Sequence, residues 1–183
     1  MRRPAILQDV KPAESAIIVP VLPAEHAVAA WRARLDPADD WGVPAHVTVL
    51  YPFLPPERLD ESALERLAAA VRTVPQFEFA LTRVEWFGDS VVWLSPEPDH
   101  PFRALTAVVW QQFPEAPPYA GVHLENVPHL TVGDGGPVQL LRQAGDAVLE
   151  HLPIHASVSA VHVMRGSREP NSWQTISELP LGP

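Results

Sequence analysis

Two segments of the chain carry the same four-residue pattern, and the repetition restricts the folds open to it. His46-Val47-Thr48-Val49 and His129-Leu130-Thr131-Val132 both read His, apolar, Thr, apolar, 83 positions apart. On a strand the side chains alternate with a period of two. In each segment His and Thr therefore leave one face, while the apolar residues leave the other and enter a core. On a helix, residues two apart do not share a face. The fold must supply two half-buried strands in matching places.

The surrounding pattern repeats as well. Ser15–Val21 is a continuous apolar run of strand length, with Pro20 marking its end or an edge. Val28, Trp31 and Leu35 give a helix over Ala24–Leu35, and Ala45–Tyr51 is a strand stopped by Pro52. A helix over Glu61–Val71 and strands Phe77–Phe87 and Val91–Leu94, joined by a Gly88-Asp89 turn, complete the first pass. The second pass has helix Pro101–Phe113, strand Val127–Val132, helix Val138–His151, then strands Ile154–Met164 and Trp173–Leu179. It nearly repeats the first without its opening strand. The two histidine motifs occupy corresponding strands.

The His-x-Thr pair carries chemistry because an imidazole titrates near neutrality. One histidine can be neutral and take a proton from water while the other, protonated, gives one to a leaving oxygen. Two threonine hydroxyls can hydrogen-bond the non-bridging oxygens of a phosphodiester, where charge builds up in the transition state. No metal is required. The motif is symmetric and does not say which histidine is base and which acid. Other readings of the pair are hydrogen-bonded strand histidines, or a metal site that would need a third ligand, with Asp134 the nearest in sequence. His155-Ala156-Ser157-Val158 fits a looser pattern, but it lacks threonine and has no counterpart in the first half.

Composition narrows the partners. Lys11 is the sole lysine, and the formal charge is −9 with no basic run, which makes the chain a poor candidate for a backbone grip on long nucleic acid. A single nucleotide or an RNA terminus remains open. The absence of cysteine excludes disulfides, thiolate zinc sites and cysteine nucleophiles. At 183 residues the chain suits one domain or two small lobes. The start, Met1 to Lys11, is interrupted by Gln8, Asp9 and Lys11, unlike a signal peptide, and no apolar run reaches spanning length. The expected setting is cytoplasmic, without membrane contact, and nothing in the sequence specifies an oligomeric state.

The two HxTx motifs, their separation and the element order resemble the 2H phosphoesterase superfamily, above all its bacterial branch of 2′-5′ RNA ligases and cyclic phosphodiesterases. The resemblance runs from SAIIVPV through HVTVLYPF, VVWL and PHLTV to SWQTISELPL. It implies an α+β, bilobal, pseudo-symmetric fold: two antiparallel sheets flanked by helices around a central cleft, here one bilobal domain over 1–183. It also implies cofactor-free hydrolysis of 2′,3′-cyclic phosphates or 2′-5′ linkages, with reverse ligation in some members. His46 and His129 become the acid/base pair, and Thr48 and Thr131 the phosphate binders. The alternative is a non-catalytic nucleotide or RNA-end binding module on the same fold. Candidate pocket residues are Tyr51, Phe53, Tyr119, His123, Arg165 and Trp173; Trp86 and Trp93 read as core.

Overall fold

A computed structural model describes residues 12–122 and 126–183. The N-terminal segment to Lys11 and the candidate pocket residue His123 lie outside the described residues. Eight strands form one antiparallel sheet: β1 (Glu14–Pro20), β2 (His46–Leu50), β3 (Phe77–Phe87), β4 (Val91–Glu97), β5 (Leu130–Asp134), β6 (Ile154–Val158), β7 (Ala160–Gly166) and β8 (Gln174–Pro180). Their order is β6-β3-β4-β5-β2-β1-β7-β8. Among the described residues five α-helices accompany them: α1 (Glu25–Leu35), the single turn α2 (Pro37–Asp40), α3 (Glu61–Val71), α4 (His100–Gln112) and α5 (Val138–Leu149). The two sheets expected are the two four-stranded halves of this one, joined where Val47 of β2 lies opposite Leu130 of β5.

The internal repeat is clearer in space than in sequence. β1 pairs with β2 as β4 pairs with β5, and β7 flanks β1 as β3 flanks β4. The opening strand that the second pass lacked is therefore β4, and the Gly88-Asp89 turn falls between the repeats. The helices are exchanged: α1 packs on β5 and α4 on β2.

The run Ile154–Met164, expected as one strand, is two. Val158 and Val161 are both buried, three positions apart, so the period of two breaks at exposed Ser159. β6 and β7 stand at the first and seventh places of the sheet. Six strand spacings of about 4.8 Å cannot be bridged by one residue unless the sheet curls. The curl brings the ends together, with Leu181 N–H bonding to the Ser159 carbonyl and Gly182 bridging Pro75.

The helix-covered face holds the main core, including Ile17, Val19, Val47, Val49, Leu94, Leu130 and Val132. The opposite face carries a small second cluster, Ala16, Ile18, Val43, Met164 and Trp173. Trp173 lies across Gly166: a Cβ at Gly166 would stand 2.5 Å from Trp173 Cγ and 2.7 Å from its Cα. Gly166→Ala is expected to cost about 1–3 kcal/mol through overpacking. At about 2–4 °C of Tm per kcal/mol for a chain of this size, thermal unfolding followed by circular dichroism would resolve the loss. An unchanged Tm would mean that Trp173 does not pack over this glycine.

Candidate active site

The β2–β5 junction creates the site. Continuing the Val47–Leu130 antiparallel register by one residue sets His46 opposite Thr131 and Thr48 opposite His129. All four are half-buried, while Val47, Val49, Leu130 and Val132 between and beyond them are buried. The four form a crosswise quartet on one face. Its diagonals join the two histidines and the two threonines, each spanning roughly 7–8 Å between Cα atoms.

Both imidazoles are held in the same way. His46 Nδ1–H donates to the Pro44 carbonyl at 2.7 Å, and His129 Nδ1–H to the Val127 carbonyl at 2.7 Å. In each case the acceptor lies two residues earlier. Since a carbonyl only accepts, Nδ1 carries the hydrogen, and in the neutral ring the lone pair is left on Nε2. Neither threonine hydroxyl has a hydrogen-bond partner among the described residues.

The electrostatics of the two histidines differ. Burial, reinforced by the Arg32 guanidinium, pushes His46 down to about 4. Burial also lowers His129, opposed by its carbonyl bond and by the Asp134 carboxylate. His129 is enclosed by aromatic rings, with Phe87 edge-on at 5.0 Å and Trp93 at 5.7 Å. Those two stack on each other at 4.8 Å, and the buried Trp93 indole N–H lacks a hydrogen-bond partner.

Two cavities flank the quartet. On the His129 side, about 580 Å³ is lined by Trp86, Phe87, Tyr119, Val127, Thr131 and Asp134 among others. On the His46 side, about 100 Å³ is lined by Thr48 and mainly apolar groups: Ile18, Trp41, Val43, Tyr51, Met164 and Trp173. No lysine or arginine lines either cavity among the described residues. No group of three or more His, Asp or Glu there could hold a metal ion.

The pocket candidates divide. Tyr51, Tyr119 and Trp173 line the cavities. Tyr51 donates to Glu14 at 3.0 Å, and Trp173 Nε1–H to the Ser167 carbonyl at 2.8 Å, so both polar ends are engaged. Phe53 does not reach the site: it is buried in the main core, edge-on to Phe113 at 5.1 Å. Arg165 does not either. It pairs with Ser15, whereas the pocket-lining Met164 pairs with Ala16, so alternation sends Arg165 to the other face, where it is exposed. The decoy His155 and Ser157 sit exposed on the edge strand β6. Phe87, Trp86 and Trp41 were not separable from core aromatics in the sequence. Trp93 is buried as expected, but it stands beside Thr131 in register and faces the histidine.

Residues 19–170 match the 2′-5′ RNA ligase superfamily. The chain belongs to that superfamily. Its fold is that of Escherichia coli LigT, solved with 3′-AMP (TM-score 0.59, 15% identity, covering 93% of this chain and 99% of that one). TT0787 of Thermus thermophilus is similar too (TM-score 0.65, 16% identity, 91% and 97% covered). LigT has also been solved with NADP+, at TM-score 0.58, 16% identity and 94% and 99% coverage. No curated protein matches the chain in sequence. No helix among the described residues is long and apolar enough to cross a membrane.

Proposed function

We propose that this superfamily member is a metal-independent phosphodiesterase acting on 2′,3′-cyclic phosphates or 2′-5′ phosphodiesters of nucleotides or RNA ends. The observation that carries the reading is the crosswise quartet, in which two identically tethered imidazoles flank two unspent hydroxyls. One neutral histidine takes a proton from water as its oxygen bonds to phosphorus. The bond from phosphorus to a sugar oxygen breaks, and the protonated histidine supplies that oxygen's proton. Thr48 and Thr131 donate to the non-bridging oxygens. With the 5′-hydroxyl of a second nucleotide in place of water attacking a 2′,3′-cyclic phosphate, the same steps break the bond from phosphorus to the 3′ oxygen and form a 2′-5′ linkage; run backwards, they cleave it.

The larger cavity falls within the usual range for ligand sites, and its aromatic lining suits a nucleoside. That LigT has been solved with 3′-AMP and NADP+ supports a small nucleotide as substrate. The lack of a cationic lining supports substrates with little charge beyond the diester.

The test is hydrolysis of the four nucleoside 2′,3′-cyclic phosphates in EDTA, with 2′-5′ dinucleotides alongside. Turnover is expected without added metal; turnover that requires metal, or none on either class, contradicts the proposal. The pH dependence follows from the histidines. The base must be neutral and the acid protonated, and both rings are pushed below the ordinary 6.5. Both limbs of the kcat/KM bell, expected near neutrality from unperturbed imidazoles, therefore move to the acid side. The rate is expected to rise from about 4, where His46 sheds its proton, and to decline before neutrality. An optimum above pH 8 would exclude this pair as the titrating groups.

A further inference from the structure

We infer that Arg32 is the positioning residue of the site: it fixes the backbone that holds His46 and makes His46, rather than His129, the general base. The inference rests on the two-histidine reading. Arg32 lies on α1 and is 1% exposed. Its Nε donates to Asp36 at 2.9 Å and its Nη2 to the Val43 carbonyl at 3.0 Å. On the same helix, Glu25 accepts the Ala45 N–H at 2.7 Å. The residues on both sides of Pro44 are thus pinned by α1, and it is the Pro44 carbonyl that holds His46 Nδ1–H.

A buried guanidinium is expensive and is weak evidence for stability. This one is also incompletely satisfied. Nη1 has no hydrogen bond and sits 3.5 Å from Asp39. The opposite half performs the corresponding task without a buried charge: the exposed Arg103 of α4 donates to the Asn126 carbonyl at 2.7 Å. Thr106 on α4 donates to the Val49 carbonyl at 2.7 Å and accepts from Asn126 at 2.8 Å, immediately before the Val127 carbonyl that holds His129. Placement alone therefore does not call for a buried charge.

The charge separates two otherwise matched imidazoles. His46 is faced by Arg32 and Asp36 from α1 and its C-terminal end and by His129 from the opposite strand, with Arg32 the strongest of these influences. His129 is faced by Asp134. At His46 the Arg32 charge outweighs that of Asp36, while at His129 the Asp134 carboxylate acts in the opposite sense, and together they favour neutral His46 and protonated His129, the pairing of base with acid.

The experiment compares wild type, Arg32→Met and Arg32→Lys by kcat and KM on a nucleoside 2′,3′-cyclic phosphate across pH, with 15N NMR titration of His46 and His129. In Arg32→Met, with Asp36 left facing the ring, the acid limb and the His46 titration are expected to move up together by about one pH unit or more. Misplacement of the ring is expected to lower kcat by about tenfold or more with KM little changed. Arg32→Lys retains the charge without the fork, so the acid limb is expected to stay while kcat falls. An unmoved acid limb in Arg32→Met, or movement of His129 instead, overturns the inference. If Arg32→Met does not fold, Arg32→Lys decides, and an unchanged kcat there overturns it. If wild type is inactive on every diester, the function fails separately, and an unshifted His46 titration in folded Arg32→Met still sinks the role of Arg32.

Discussion

Alanine at either His46 or His129 is expected to lower kcat on a 2′,3′-cyclic phosphate by about 10²–10⁴-fold, the usual contribution of one positioned acid or base. Both side chains lie on the face away from the main core, so truncation leaves the packing of Val47, Val49, Leu130 and Val132 in place. The double variant is expected to be little worse than either single one, because acid and base act in one step and such effects do not multiply. Stability provides a control with the opposite sign. His46 binds its proton near the ordinary 6.5 when unfolded but only near 4 when folded. As pH falls through 6.5, the unfolded chain takes up the proton first, and native stability is lost towards 4. His46→Ala removes that loss, so its Tm is expected to gain on wild type as pH is lowered from 7 to 5. Wild type that binds nucleotide without turning it over, with His46→Ala altering only the affinity, would favour the binding-module alternative.

The quartet was legible in sequence because its information is local. A period of two, apolar partners and a recurrence at matching element positions suffice to put His46, Thr48, His129 and Thr131 on one strand face each. What brings them together is not local. β2 and β5 are neighbours through a single register pair, and each is covered by the other repeat's helix. The exchange of α1 and α4 leaves no trace in hydrophobic spacing, and neither does the sheet order. For the same reason the sequence pattern puts β4 at the end of the first repeat, whereas in the structure it opens the second. The division of Ile154–Met164 at Ser159 does leave a trace, since the spacing between Val158 and Val161 is odd, but a β-branched run conceals it.

Side-chain reach is the second thing that sequence hides. Arg165 and Phe53 stand near the motifs along the chain, yet strand alternation and the Phe113 contact take them elsewhere. Phe87 is distant along the chain but touches His129 across two strands. Nothing in the sequence marks Arg32, and only the packed structure shows it buried against the loop that leads into His46. Burial sets the chemistry of both imidazoles, and burial is a property of the assembled sheet rather than of the motif.

Replacement of Thr48 or Thr131 by valine is expected to lower kcat by about 10²–10³-fold, the cost of removing one donor to a developing oxyanion. Valine keeps the branched shape that a strand accepts, so the hydroxyl is the principal loss. Neither hydroxyl has a hydrogen-bond partner among the described residues, so no internal bond is broken. The Tm is therefore expected to stay level or rise slightly, which separates catalysis from folding. Each threonine stands opposite the other motif's histidine, so in the proposed mechanism each hydroxyl lies beside a different imidazole and would serve its own non-bridging oxygen. Independent donors add in free energy. The double valine variant should then lose about the product of the single losses, in contrast to the histidine pair. Thr→Ser, which keeps the hydroxyl but loosens it, is expected to fall between. If both valine variants turn over at the wild-type rate, the hydroxyls do not contact the phosphate and the quartet reduces to its two histidines.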